Sequence, residues 1–305
     1  MVRPTSELDI NSYCSEWLAE HLLNGSQLLL DGDGVLVRGD SLSRTRLLEP
    51  SLISSLMTLE SIGVPVGLAT ARGQHFVERL RGEGLLIKGT SILEEGQAVL
   101  KNGELKYLVP SEYTRFLGEV RQKLKQSPAY KKSWGEVSST NEDVFCRGSH
   151  QWQGRARASW WFHQTGRFES DARKLQLMFL PTIAGMATEY GFSLGKDISL
   201  SLVRMRENNL AMMVIRFNGF EKATAAGYLD KPVVFIADGF GDLNLGNKVL
   251  ESGGGVMGLR TNLDISNEPN MFLNEVADWV LDNPKQLAQI VRLTAKSLAR
   301  PKAMV

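Results

Sequence analysis

Two cysteines in 305 residues, Cys14 and Cys146, are too few and too far apart in sequence to suggest a disulfide framework. Small secreted scaffolds are stapled far more densely, so a reduced, cytoplasmic protein is expected. No apolar run approaches the ~18 residues that a membrane span needs. Residues 1–9 carry no apolar core of the kind a signal peptide has. Neither sign of charge is in excess, since 35 Lys and Arg stand against 34 Asp and Glu for a net of +1. Basic residues are not concentrated enough to suit nucleic acid. His21, His75 and His150 show no metal-ligand spacing, and no Cys/His pattern of a zinc site or thiol nucleophile is present. Gly253, Gly254 and Gly255 lack the Lys-Ser/Thr of a nucleotide-binding phosphate loop.

What is present is an ordinary globular composition, 43% hydrophobic and 23% charged, with room for one large domain or two smaller ones. Residues 28–36 read Leu-Leu-Leu-Asp-Gly-Asp-Gly-Val-Leu. The leucines predict a buried strand that delivers Asp31 and Asp33 to its carboxyl end, with Gly32 and Gly34 turning the backbone. Carboxylates at i and i+2 of an extended chain point the same way. Two acids that close repel unless a cation lies between them or one is protonated. The economical reading is a hard-cation site, Mg²⁺, with one carboxylate left for chemistry. The rival reading is a plain Asp/Gly turn.

Later strands end on polar groups as well. Residues 64–69 lead to Thr70, and a helix is predicted over 74–81. Thr70 and the N–H groups of the next turn, Ala71 onward, would make a phosphate-binding corner. Residues 232–237 form a third apolar strand ending on Asp238, with Asp242 four residues on and Lys222 sixteen residues before. Lys231 is a rival to Lys222, but it lies just ahead of a strand, at the wrong end of the sheet. Helices are expected over 8–23, 52–59, 271–281 and 285–299, and a further strand near 254–259. Strands alternating with helices imply a parallel sheet covered on both faces. The middle of the chain differs in composition. Residues 110–212 hold 15 Lys and Arg against 10 Asp and Glu, a net of +5, whereas the rest holds 20 against 24, a net of −4. Four of the six tryptophans, Trp134, Trp152, Trp160 and Trp161, fall in that block.

In this order the motifs resemble those of the haloacid dehalogenase superfamily of phosphohydrolases. Residues 31–36 match Asp-x-Asp-Gly-(Thr/Val)-Leu, Thr70-Ala-Arg-Gly matches Thr/Ser-Gly-Arg, and Lys222 matches the Lys of Lys-Gly-x-Ala. Asp238-Gly-Phe-Gly-Asp242 matches Gly-Asp-x-x-Asn-Asp, and residues 93–98 look like the Glu-Asn-Gly-Ala hairpin of the sugar-phosphatase branch. The resemblance covers about residues 25–108 and 213–280. Ala71, Ala237 and Gly241 depart from the pattern, but none removes an expected charged group.

The resemblance implies a doubly wound, Rossmann-like α/β core over 1–109 and 213–305, with an α/β cap inserted at 110–212. Asp31 would be the nucleophile and Asp33 the acid and base. Thr70, Ala71 and Lys222 would hold the phosphoryl oxygens. Asp31, Asp33 (through its backbone carbonyl), Asp238 and Asp242 would make the Mg²⁺ site, Asp242 acting through water or by orienting Lys222. A helix N-cap role for Asp242 is the bland alternative. Arg155, Arg157, Arg204 and Arg206 are the candidate substrate contacts in the cap, against the plain reading of a solvated sheet face. The implied activity is Mg²⁺-dependent hydrolysis of a sugar phosphate or similar small phosphorylated metabolite, with no nucleic acid or membrane partner. A phosphomutase of the same superfamily or a non-catalytic sugar-phosphate-binding protein is the alternative.

Overall fold

A computed structural model describes residues 7–37, 49–126, 155–163, 168–205, 210–229, 231–260 and 272–299. Its first half runs α1 (Glu7–Leu23), β1 (Gln27–Asp31), α2 (Pro50–Ser61), β2 (Val66–Ala69), α3 (Gln74–Gly82), β3 (Ser91–Leu93), β4 (Ala98–Lys101), β5 (Glu104–Tyr107) and α4 (Ser111–Gln126). Then come β6 (Arg157–His163), α5 (Phe168–Glu189), β7 (Ile198–Met205), β8 (Leu210–Phe217) and α6 (Lys222–Ala225). The chain closes with β9 (Val233–Ala237), α7 (Leu243–Glu251), β10 (Gly255–Leu259), β11 (Trp279–Leu281) and α8 (Pro284–Leu298).

Three consecutive leucines can be satisfied only where both faces of a strand are dry, and β1 is buried at every position. Leu28 and Leu30 pack into one hydrophobic cluster and Leu29 into another. β9 repeats the alternation, with Val234 and Ile236 on the first side and Val233 and Phe235 on the second. The first cluster is completed by Leu18 of α1, Leu52 and Leu56 of α2, Phe76 of α3 and Ile290 of α8. Ala225 of α6 and Leu245 and Val249 of α7 complete the second. Helices therefore cover both faces of one sheet.

That sheet has eight strands in the order β11-β10-β9-β1-β2-β3-β4-β5. The strands from β11 to β3 run parallel, and β4 and β5 add an antiparallel hairpin. This is the expected doubly wound α/β core. Most expected elements are present, including α8, whose cap Asn283 accepts from the N–H groups of Lys285 and Gln286 at 3.0 Å each.

The helix expected over 271–281 is corrected. Phe272–Val276 makes a single π-type turn, and the chain then extends into β11. The Asp278 carboxylate accepts from Val256 N–H at 2.8 Å, and its own N–H donates to Val256 O at 2.8 Å. Met257 then pairs with Trp279 in parallel register. Buried Leu273, Val276 and Leu281 fit a helical spacing, but pairing with β10 supplies what the local pattern could not reveal.

A second, three-stranded antiparallel sheet has the order β6-β8-β7. Its core is separate from the first two. Tyr113, Phe116 and Leu117 of α4 pack with Ile183 and Met186 of α5 and with Ile198, Met213 and Ile215 of the strands. Between β3 and β4 lies a short turn, Glu94–Gly96, with φ of 54°, 59° and 93° at its three residues. A Cβ on Gly96 would overlap the backbone of Glu221 at the entry to α6, so only glycine lets the two segments touch.

Gly103 offers a matched control, with φ of 82° and open space around it. Gly103→Ala should cost about 1–2 kcal/mol for the left-handed backbone alone. Gly96→Ala should cost more, because backbone must also move. Equal falls in melting temperature for the two variants would show that the contact with Glu221 carries no weight.

Candidate active site

Winding from β1 proceeds toward β2 on one side, and from β9 toward β10 on the other. β1 and β9 are adjacent, which makes their carboxyl ends the switch point where open α/β sheets form a crevice. Asp31 ends β1 and Asp238 follows β9. Asp242 closes a 3-10 turn, Phe240–Asp242, ahead of α7. Carboxylate oxygens of Asp31, Asp238 and Asp242 lie within 4.8 Å of one another, and all three residues are buried. Asp242 occupies the N-cap position of α7 but makes no side-chain capping bond. Its Oδ1 instead accepts from Lys222 Nζ at 2.6 Å, and the same ammonium donates to Asp31 Oδ1 at 2.9 Å.

The charges explain the titration of this cluster. Burial pushes the Asp31 carboxyl well above its usual range, the charge of Asp242 adds to the rise, and Lys222 only partly reverses it. For Lys222, burial works against the ammonium, but Asp242 and Asp31 more than reverse that and raise it above the usual lysine range. Three carboxylates gathered around one ammonium leave a negative excess that a divalent cation would relieve. The backbone supports the fit. Gly34 has φ of 82°, and a Cβ there would overlap the Asp238 carboxylate. The cluster can therefore hold a divalent metal.

Asp33 turns elsewhere. Arg72 Nη2 donates to its Oδ1 at 2.6 Å and Nε to its Oδ2 at 3.1 Å, a two-pronged pair at a carboxylate 43% exposed. Its side chain thus stands apart from the three gathered carboxylates. Arg72 lies inside the second motif, yet its partner was not legible in the sequence. Thr70 is fully buried, and its Oγ1 accepts from Arg72 N–H at 3.2 Å. A Cβ on Gly32 would overlap that hydroxyl, so Thr70 sits directly against the turn after Asp31. Ala71 is half-buried in the bend that follows. Lys231 is exposed ahead of β9, away from this edge.

Glu94 and Glu95 were marked in sequence only by the likeness of their hairpin. Glu95 N–H donates to Thr70 O at 3.1 Å, and Gly96 touches the Glu221–Lys222 backbone. The turn is thereby wedged between both expected phosphate-binding groups. Glu94 is buried, and its carboxylate accepts from the N–H groups of Arg155 at 3.2 Å, Ala156 at 2.7 Å and Arg157 at 3.0 Å. Burial raises its carboxyl, and those N–H groups offset part of the rise. Glu95 also feels burial, but Arg157, then Arg216 and Lys222, more than reverse it and hold its carboxyl below the usual range. Gln97 Oε1 accepts from Phe217 N–H at 3.1 Å. One turn of the large sheet thus grips both β6 and β8 of the small one.

The expected cap arginines separate. Arg157 pairs with Glu95 at 3.1 Å, whereas the Arg155 side chain is exposed. Arg204 lies in β7 opposite Ala211, toward the far end of the small sheet, and its side chain is outside the described set. Arg206 lies outside the described residues, as do Trp134 and Trp152. Arg216, absent from the expectation, lies 3.6 Å from Glu95.

No family model and no curated protein matches the sequence. Solved structures do match. A trehalose-6-phosphate phosphatase related protein is 13% identical with a TM-score of 0.58, the match covering 89% of this chain and 98% of that one. The C-terminal domain of trehalose-6-phosphate phosphatase from C. albicans is 16% identical with a TM-score of 0.58, covering 92% and 96%. At such identities the likeness is one of fold, and it is the fold that the haloacid dehalogenase motifs imply. No helix among the described residues is long and apolar enough to cross a membrane.

A divalent cation should stabilise the protein through these carboxylates. With Mg²⁺ or Mn²⁺ at a hundredfold excess over Kd, thermal unfolding should show a gain of about 2–3 kcal/mol. Asp238→Asn should remove most of that gain. An identical cation-induced shift in the variant would place the metal elsewhere.

Proposed function

We propose that this chain is a phosphatase of the haloacid dehalogenase superfamily, cleaving a sugar phosphate or similar small phosphorylated metabolite through an aspartyl-phosphate intermediate. The observation that carries the reading is Lys222 Nζ, shared between Asp31 and Asp242 beside the Thr70 corner at the carboxyl edge of the sheet. The ammonium there is placed to receive the charge of a phosphoryl group at Asp31. The three-stranded unit would be the cap, covering the site while the reaction proceeds. With two cysteines in the whole chain, a reducing cytoplasm is the proposed setting.

A carboxylate oxygen of Asp31 attacks phosphorus, and the bond from phosphorus to the ester oxygen breaks. Asp33 gives a proton to the departing oxygen and later takes one from the water that attacks the aspartyl-phosphate. Thr70, the N–H groups from Ala71 onward and Lys222 hold the phosphoryl oxygens. Mg²⁺, bound by Asp31, Asp238 and the backbone carbonyl of Asp33 with Asp242 beside it, would supply the positive charge that lets an anionic nucleophile meet an anionic ester. Asp242 keeps Lys222 pointed at Asp31. Arg72 orients Asp33, and the N–H contact to whichever oxygen takes the proton weakens when Asp33 is protonated.

Hydrolysis of p-nitrophenyl phosphate tests the reading. Activity should require Mg²⁺ and vanish in excess EDTA. Asp31→Asn should abolish turnover, and Asp33→Asn should slow it by about 10²–10⁴-fold. Lys222→Ala should depress the rate far more than Lys231→Ala. Full turnover in Asp31→Asn would exclude the covalent route, and the reverse ranking of the lysines would overturn the assigned phosphate site.

A further inference from the structure

Where the small sheet meets the large one, two arginines stand face to face. β6 and β8 pair Arg157 directly with Arg216, and β7 brings Ser199 into the same row. Ala156, Ile215 and Met213 in the flanking rows pack into the helical core of the small unit. Side chains alternate along a strand, so the arginine row occupies the face turned away from those helices. Like charges directly opposite each other on antiparallel strands are unfavourable.

Glu95 relieves this only in part. Arg157 Nη2 lies 3.1 Å and Arg216 Nη1 3.6 Å from its two oxygens. One carboxylate between two guanidinium groups leaves one positive charge in excess. Glu94, whose carboxylate accepts from three backbone N–H groups, offsets the third guanidinium nearby, that of Arg121. Arg121 Nη2 donates to Arg157 O at 2.8 Å, and three guanidinium groups against two carboxylates still leave one positive charge in excess. Arg157 Nε is buried without a hydrogen-bond partner among the described residues. The Arg216 side chain is 44% exposed, so part of the cluster opens to solvent.

The location gives this charge a purpose. Glu95 is bonded through its N–H to Thr70 O, and the next residue touches the Glu221–Lys222 backbone. The cluster therefore borders both phosphate-binding groups. In the proposed reaction the ester oxygen of a phosphate at Asp31 faces away from the sheet, and the arginine row, joined through Glu95 to Thr70, borders that side. Consecutive left-handed φ at Glu94 and Glu95, neither a glycine, show that the chain tolerates strain to keep this turn in place.

We propose that Arg157 and Arg216, positioned by Glu95, form a leaving-group subsite that selects phosphate esters bearing a second anionic group, a carboxylate or second phosphate, on the alcohol portion. The inference rests on the phosphatase reading above. The second anion accepts from the guanidinium groups and compensates the charge that Glu95 leaves over, whereas a neutral alcohol has nothing to set against it.

Matched substrates test this. Values of kcat/KM are measured with Mg²⁺ for 3-phosphoglycerate against glycerol 1-phosphate, and for fructose 1,6-bisphosphate against fructose 6-phosphate. In the wild-type protein one pair should favour the more anionic member by about 10- to 100-fold, the size expected of charge-assisted hydrogen bonds. The first pair reports a carboxylate and the second a phosphate. Arg216→Gln should lower that ratio about tenfold or more, and Arg216→Lys should restore much of it. Each ratio is internal to one preparation, so partial unfolding cancels, and Arg157→Gln serves if Arg216→Gln does not fold. Ratios near one in the wild type, or a ratio unchanged in the Gln variants, would overturn the subsite while p-nitrophenyl phosphate turnover leaves the phosphatase reading intact. If no ester at all is hydrolysed, the phosphatase reading fails and the subsite falls with it.

Discussion

The ammonium of Lys222, between Asp31 and Asp242, is the interaction on which the arrangement of this edge of the sheet depends. Parallel strands that converge at a switch point bring their ends together whatever those ends carry, and here two ends carry carboxylates, which a third, Asp242, joins from the turn before α7. Taking such groups out of water is costly, and their mutual repulsion adds to the cost. Lys222 answers both at once, because its position at the start of α6 is fixed independently. Gly96 sets how near α6 can come to the turn after β3, and Gly34 sets how near the loop after β1 can come to Asp238. Two missing side chains thus determine the spacing of four charged ones.

The turn Glu94–Gly96 transmits that spacing to the small sheet. Its backbone is tied to Thr70 and stacked on Glu221, while its side chains hold the ends of β6 and β8. A three-residue turn with every φ positive has no slack, so a displacement of the small unit must be felt at Thr70 and at Lys222. One short turn thus joins the small sheet to the residues proposed to bind phosphate, without a longer chain of contacts.

Much of the core was legible because its signals are local. The leucines of β1, the apolar runs of β2 and β9, and the polar groups at their ends can each be read within ten residues. Order along the chain then placed Asp31, Thr70, Lys222 and Asp238 at one edge. What was not legible depends on pairings between distant segments. Arg72 and Asp33 are 39 residues apart, and Glu94 meets the start of β6 some 62 residues on. Arg216 acquires meaning only from the register that sets it opposite Arg157. The strand at Trp279–Leu281 was hidden for the same reason, since helical spacing and a half-buried edge strand give similar local patterns. Asp242 is the intermediate case: its N-cap position followed from sequence, and the resemblance offered Lys222 as one of two partners for its carboxylate, the one that the geometry shows.

The pair formed by Arg72 and Asp33 sets the remaining constraint. In the proposed mechanism Asp33 must hold a proton to release one, yet here both of its oxygens accept from a single guanidinium, a pairing that favours the ionised carboxylate. A carboxylate so held is prepared to take a proton from water, and it is oriented for that step without rearrangement. To act as an acid in that mechanism it must take up a proton, which weakens the contact at the oxygen that carries it. Its side chain is 43% exposed against 10% for Arg72, which packs over the Phe76 ring at 4.9 Å, so solvent reaches the carboxylate and the guanidinium is the fixed member of the pair.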